Sequence, residues 1–577
     1  MLRFLMSAAG QVGGSTLRGF VREPEESLAH ASGYLGSSRL VAERLGRENR
    51  DRDCCFSRMA IGLLAACSLL ATIGCGGGSQ DAPSVAQSTT TTGGADAELD
   101  PPAPLKIEAR SVLGPRGSSG ANESSGAGRQ SNSTSGEGEG TGDDPDVTAA
   151  PARTLGDLLA QQEGPFVGRR MEIDEDRVRA NGIVHVSGEH LDLYSDVRDE
   201  AVLNELVTVF DAAVPFWCER FEVDPATVKD WRINGFLMQD INRMRSAGLA
   251  PDDLPPFPNG YFRAHEFWFY EQASDYYRRY LMLHEGTHAF MFHQLGNAGP
   301  PWYMEGIAER IACHAWDGSE LRMDVPILSA DEAPLWGRVR IIQDEFAGRT
   351  MYMPLTLFAM PNEEFLKNES YGWAWAMCEF FGRHPRFREA FAELKNNVAD
   401  RSPTFAQGLI DAVGDDWALL QEDWQLFIAE MEYGYDLEHL AIVRNDAQPL
   451  VGSEASFEFA ADRGWQSTGI QLAPGTYSFS ADGRWLMKTG DEQWPSEPEG
   501  ITIDYYRGEP IGKVMLGFRG AIDLTDTITS LTQPVPLGRS ANLRIDEPVE
   551  LFVRVNESPN AVSDNQGSGT LTVKRFP

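Results

Sequence analysis

Residues 281–311 read LMLHEGTHAFMFHQLGNAGPPWYMEGIAERI, and the architecture of the middle of the chain follows from this stretch. Its first half carries His284-Glu285-Gly286-Thr287-His288. On an α-helix, positions i and i+4 share a face, so both imidazoles can address one ion. Glu285 stands beside the first of them and can take a proton from a water molecule at that ion. Leu281, Met282, Leu283, Ala289, Phe290 and Met291 flank the motif and are all uncharged, as a helix buried beneath a cleft requires. Zinc suits such a pattern because it acidifies a water ligand and polarises a carbonyl. A catalytic zinc usually takes a third protein ligand, and the second half of the stretch supplies one. Glu305 lies 17 positions past His288 on a helix opened by Pro300-Pro301, and a loop with Gly296 and Gly299 can turn the chain back between them. Glu309 is at i+4 from Glu305, on the same face, where a carboxylate can accept the second N–H of a ligand histidine.

Outward from this core the text is α+β. Residues 182–194 alternate apolar and polar, predicting a strand or hairpin, and residues 231–238 predict a strand. Helices are expected over 201–221, 274–295, 302–315, 371–381, 386–396 and 417–432. Phe267, Trp268, Phe269, Tyr270, Tyr276 and Tyr277 are either core or cleft-lining aromatics. His265, His293 and His314 lie near the motif without ligand spacing. After about residue 445 the helical spacing stops. Short runs such as SFEFA, GITIDYY, KVMLGF and GTLTVKRF, separated by turn residues, predict an all-β sandwich.

The chain has 577 residues, a formal net charge of -35 and seven cysteines. Two or three domains are expected at this length. The acidic excess excludes nucleic acid as a partner, because phosphate binding needs Lys and Arg. Cys218, Cys313 and Cys378 lie far apart, show no zinc spacing and read as buried thiols. Residues 59–73, MAIGLLAACSLLATI, are short for a membrane span of about 20 residues. With Arg58 before them and Gly74-Cys75-Gly76 after, they read as an export signal. Cys75 resembles the acceptor of a bacterial lipoprotein signal, although Thr72 stands where that pattern prefers Leu; a plain secretory signal is the alternative. The expectation is an exported protein, held to the cell-envelope membrane by a lipid on Cys75 or secreted. Residues 1–58 read as a long leader or an early start codon. Residues 76–150, including GSSGANESSGAGRQSNSTSGEGEGTGDD, cannot bury enough apolar area to order and are expected to be a disordered tether.

HEGTH followed by PPWYMEGIAER resembles the gluzincin peptidases, and specifically the peptidase MA-like bacterial proteins. The upstream GEHLDLYSD is similar to the start of that domain. The resemblance spans roughly residues 160–435 and is specific at the two motifs. It implies a zincin-like fold, His284, His288 and Glu305 as zinc ligands, Glu285 as general base, and hydrolysis of a peptide or protein substrate. A Tyr or His from a later helix often stabilises the oxyanion in such enzymes; Tyr371, in SYGWAWAMCEFF, is the candidate here.

The last segment, through GTYSFSADGRW, PIGKVMLGF and VNESPNAVSDNQGSGTLTV, resembles the galactophilic-lectin-like β-sandwich. In that family a calcium ion binds sugar hydroxyls. The resemblance places its ligands on Glu557, Asp564 and Asn565 and its small turn residue on Gly567, and oxygen ligands suit calcium. Ala561 and Lys488 depart from that pattern, at a threonine and an aromatic ligand position respectively. The expected organisation is therefore a leader and signal over 1–75, the tether over 76–150, an α+β zinc metallopeptidase domain over 151–445, and a lectin-like all-β sandwich over 446–577. The competing expectation is a cell-surface glycan-binding or adhesion protein whose metallopeptidase-like part is inert.

Overall fold

The computed structural model describes residues 170–361, 364–365, 367–521 and 528–577, all within a single unit spanning Gly94–Pro577. The export-type signal, Cys75 and the polar tract 76–150 lie outside the described residues. Both α and β structure are present, with helices predominating between residues 275 and 440 and strands after 448.

A five-stranded sheet comes first, built from β1 (Val184–Ser187), β2 (Leu191–Ser195), β3 (Ile233–Met238), β4 (Gly260–Arg263) and β5 (Glu266–Tyr270) in the order β1-β2-β3-β5-β4. β2, β3 and β5 run parallel, and the two outer strands are antiparallel to their neighbours. The hairpin expected at 182–194 is β1–β2. The EFWFY run forms β5, and Phe267, Trp268 and Phe269 are buried core.

Between β2 and β3 runs α1 (Glu200–Phe221), capped by Asp199, whose carboxylate accepts from the N–H groups of Ala201 and Val202. Its Leu203, Leu206, Val207 and Phe210 are buried at the spacing expected of one helical face. Next in the chain come α2 (Asp275–Phe290), α3 (Pro301–Ile311), α4 (Arg338–Ala347), α5 (Asn368–Arg383) and α6 (Trp417–Ala429). The helix expected over 274–295 ends its α geometry at Phe290 and widens into a π-turn over Met291–Leu295. The helix expected over 302–315 stops at Ile311, and His314–Trp316 pairs instead with Leu321–Met323. Helix α4 was not anticipated from the sequence.

The C-terminal strands form two facing layers. One sheet pairs β11 (Ser540–Ile545), β8 (Gly475–Gly483), β13 (Ser568–Arg575) and β6 (Glu454–Ala460) in that order. The other has β9 (Glu499–Tyr506), β10 (Glu509–Arg519), β12 (Val549–Val555) and β7 (Gln466–Leu472), extended by Gln448–Pro449 and Val535–Pro536. Phe459, Phe479, Leu543, Leu571, Leu516 and Val553 meet between the layers. The runs read as strands in the sequence all fall on these elements.

Helix α6 joins the helical part to the sandwich. An apolar cluster of Leu426, Ile442, Trp465, Met515, Leu531 and Phe552 crosses the junction, and buried ion pairs surround it. Arg554 donates two hydrogen bonds of 2.9 and 3.0 Å to Glu430 and lies over the Trp465 ring at 4.5 Å. Arg519 and Arg444 both donate to Glu422, at 2.9 and 2.7 Å. Removing one member of a buried pair leaves the other charge without compensation. Glu430→Ala should therefore lower stability by about 3–5 kcal/mol, read as a lower urea midpoint; a loss below about 1 kcal/mol would mean that the junction does not rely on the pair.

Candidate metal centre

Helix α2 starts at the N-cap Ser274, whose hydroxyl accepts from the Tyr277 N–H, and everything from Tyr280 to Phe290 is buried. The two middle residues of HEGTH face backwards. Thr287 Oγ1 accepts from Trp217 Nε1 at 3.1 Å and donates to the Leu283 carbonyl at 2.8 Å. A Cβ on Gly286 would stand 2.7 Å from Phe210 and 2.8 Å from Trp217, so only glycine lets α2 approach α1 this closely. His284, Glu285 and His288 are thereby turned to the opposite side.

The return loop works as its glycines suggest, with Gly296 and Gly299 both at φ near +80°. Pro301 opens α3 and places Glu305 opposite the histidines. Gly306 is the counterpart of Gly286: a Cβ there would meet the Ala374 carbonyl oxygen at 2.4 Å and Cys378 Sγ at 2.5 Å. The Glu-Gly pair thus combines the Glu305 carboxylate with a close contact between α3 and α5.

Three atoms converge. His284 Nε2 and His288 Nε2 each lie 3.3 Å from Glu305 Oε2 and 3.1 Å from one another. Glu305 Oε2 is buried without a hydrogen-bond partner. A tetrahedral ion with bonds of about 2.0–2.1 Å has ligand edges of about 3.3–3.4 Å, so the three donors fit one face of such a site. Among the described residues they are the one group of three His, Cys, Asp or Glu side chains close enough to share an ion.

The charges agree with that fit. Burial pushes the Glu285 carboxyl up to about 8; Glu305 and Glu309 add to the shift and His288 opposes it. Burial also opposes ionisation of Glu305, but His288 and His284 outweigh it and hold this carboxyl well below the usual range. Glu309 lies on the expected face, but its hydrogen bonds go elsewhere. Its Oε1 is 3.7 Å from His284 Nδ1, beyond hydrogen-bond length, and the carboxylate instead accepts from Arg338 Nε at 2.5 Å, from Arg338 Nη2 at 2.8 Å and from the Tyr280 hydroxyl.

His284, Glu285, Glu309 and Arg338 line one cleft of about 450 Å³, together with Tyr371, Tyr277 and, from β4, Gly260 and Tyr261. The Tyr371 ring centroid is 6.5 Å from that of His284. The charge on Glu305, and then burial, hold the Tyr371 hydroxyl protonated far above its ordinary range, so it stays a donor. A Cβ on Gly260 would lie 2.3 Å from Glu285 Oε1, so β4 passes directly beside this carboxylate. The sequence reading missed Gly260, Tyr261, Tyr280 and Arg338. Tyr280 stands at i−4 from His284, a signal available from helical spacing. His293 is occupied elsewhere, between Trp231 Nε1 and the Ala264 carbonyl, and His314 stacks on Tyr276 at 4.5 Å.

The C-terminal residues are arranged differently. Asn565 is buried and donates to the Ala461 carbonyl at 3.1 Å, leaving its Oδ1 buried without a protein partner. Glu557 accepts from the Ser558 N–H at 2.8 Å. Burial, helped by Asp564 and Asp504, pushes the Glu557 carboxyl up to about 7. The Lys488 ammonium opposes the upward push of burial on Asp564. It also lies over the Trp494 ring at 4.5 Å, so a cation already attends this corner.

Two measurements follow from these positions. Gly306→Ala should destabilise by about 1–3 kcal/mol, because the opposing atom is a backbone oxygen that cannot rotate away; an unchanged melting temperature would contradict the close α3–α5 contact. The folded chain holds a proton on Glu557 that the unfolded chain releases, so this group's contribution is full below pH about 4.5 and is lost as pH rises towards about 7. In EDTA at pH 8, Glu557→Gln should therefore raise stability by roughly 1–3 kcal/mol, with no gain at pH 4.5. Calcium should stabilise the wild type and not the variant if this corner takes the ion.

No protein-family model matches the chain, and no curated protein matches it. Among solved structures the chain is similar to one described as "EclA N-terminal domain; PllA-like lectin", at 16% sequence identity over 21% of this chain and 95% of that chain, with a TM-score of 0.17.

Proposed function

We propose that this chain is a zinc-dependent peptidase that hydrolyses peptide bonds in the cleft between β4 and α2. The observation that carries the reading is the convergence of His284 Nε2, His288 Nε2 and Glu305 Oε2 within 3.1–3.3 Å, with Glu285 and Tyr371 on the same cleft. His284, His288 and Glu305 would hold the metal. When bound, zinc supplies Lewis-acid polarisation of the scissile carbonyl and makes water a competent nucleophile at neutral pH.

The chain's own residues do the rest. Glu285 takes a proton from the attacking water and passes it to the leaving amine. Its elevated proton affinity in the buried site favours that uptake. The Tyr371 hydroxyl donates a hydrogen bond to the oxygen on which negative charge develops. Glu309, fixed by Arg338 and Tyr280, places its carboxyl group behind His284. The backbone of Gly260 runs close enough to Glu285 to fix an extended substrate chain beside it. The apolar run 59–73 followed by Cys75 supports an exported, envelope-bound or secreted enzyme.

Metal analysis and peptide cleavage test this together. Wild-type protein should contain about one zinc per chain, and His288→Ala and Glu305→Ala should lose it. Glu285→Gln should keep the metal and lower kcat on casein-derived peptides by about 10²–10⁴-fold. A wild type without metal, or undiminished cleavage by Glu285→Gln, overturns the reading. Glycan-array binding by the metal-free protein in that case would favour a surface adhesin.

A further inference from the structure

The cleft is asymmetric in chemistry. The segment leading into β4 reads Pro255-Pro256-Phe257-Pro258, and all four residues line the cavity. Proline has no N–H, so this wall has few hydrogen-bond donors to offer. Phe257 is held rigidly, stacked on Tyr261 at 5.7 Å and packed against Tyr270 at 5.5 Å. Leu281 and Tyr277 of α2 line the same cavity. The Tyr277 hydroxyl is engaged by Arg338, which leaves its ring as the available surface.

Donors begin where the prolines end. The Tyr270 N–H bonds to the Asn259 carbonyl at 2.9 Å, so antiparallel alternation turns the peptide groups of Gly260 and Phe262 away from β5, towards the free edge of the sheet. A substrate backbone can pair with β4 from Gly260 onward and has few partners before it. On the proline side the wall offers carbonyl acceptors but hardly any N–H donors, so more of the grip falls to the substrate's side chain.

The cleft also lacks a free cation for an acidic side chain. Arg338, the one cation among the lining residues, is spent on Glu309 through two hydrogen bonds of 2.5 and 2.8 Å. A carboxylate entering there would lose its water without gaining a partner. We infer that Phe257, Tyr261, Tyr277 and Leu281, closed off by Pro255 and Pro258, form a side-chain pocket that selects peptides with a bulky apolar or aromatic residue next to the cleaved bond. The inference rests on the peptidase reading and adds the substrate class and the residues that set it.

The test uses the full chain loaded with zinc and a peptide library randomised at the two positions flanking the cut, with products read by mass spectrometry. One flanking position should be enriched in Phe, Leu, Tyr or Met, with kcat/KM for Phe at least about tenfold above Ala. Direct binding to Glu285→Gln by calorimetry should show the same order without turnover. Phe257→Ala, checked for folding by circular dichroism, should narrow the Phe-over-Ala preference by about tenfold, chiefly through KM, and Phe257→Leu should restore part of it. Cleavage that favours Arg, Lys, Asp or Glu, or that is indifferent to both positions, overturns the pocket while leaving the peptidase standing. No cleavage and no peptide binding by any member overturns the peptidase reading and the pocket with it.

Discussion

Glu285, Glu305 and Glu309 are buried together, and carboxylates do not share a dry volume unless positive charge shares it with them. The rest of the centre is organised by this constraint. Arg338 and the Tyr280 hydroxyl answer Glu309, and the two imidazoles answer Glu305. Glu285 has no such partner, and burial drives its proton affinity up. A group left in that condition is costly to stability and useful for moving protons, which is the usual signature of a functional site.

Holding these groups in register takes close helix packing, and two glycines make it possible. Gly286 lets α2 press against Phe210 and Trp217 of α1, and Gly306 lets α3 rest on the backbone of α5. The site is thus held by four helices, packed in two pairs whose contacts leave no room for a methyl group. A third glycine, Gly260, brings the edge of the sheet up to Glu285. Glu285 and Glu305 are each accompanied in this way by an adjacent glycine, and the two features act together.

The sandwich is not an appendage to this arrangement. Arginines from its strands, Arg554 buried and Arg519 partly so, end on Glu430 and Glu422 at the α6 end of the helical layer, and an apolar cluster lies beside them. Since α6 also packs its Trp424 against Trp373 and Phe380 of α5, the wall that carries Tyr371 is braced from the sandwich side. The two layers therefore bear on one another through packing and charge, beyond their covalent connection.

Much of this was legible in the sequence. The i, i+4 histidines and the Glu-Gly pair identified His284, Glu285, His288 and Glu305, because helical periodicity fixes which side chains share a face. Alternation and turn residues located nearly every strand of the sandwich. The edge strand β4, helix α4 and the fate of Glu309 were decided by tertiary structure. β4 is four residues long and follows a proline tract, so it has too little periodicity to register. Arg338 stands 29 positions from Glu309, and no local pattern links residues that far apart. Glu309 lies where helical spacing puts it, yet it bonds to Arg338 and Tyr280 and not to His284, because the guanidinium offers two charge-assisted bonds where the imidazole offers one.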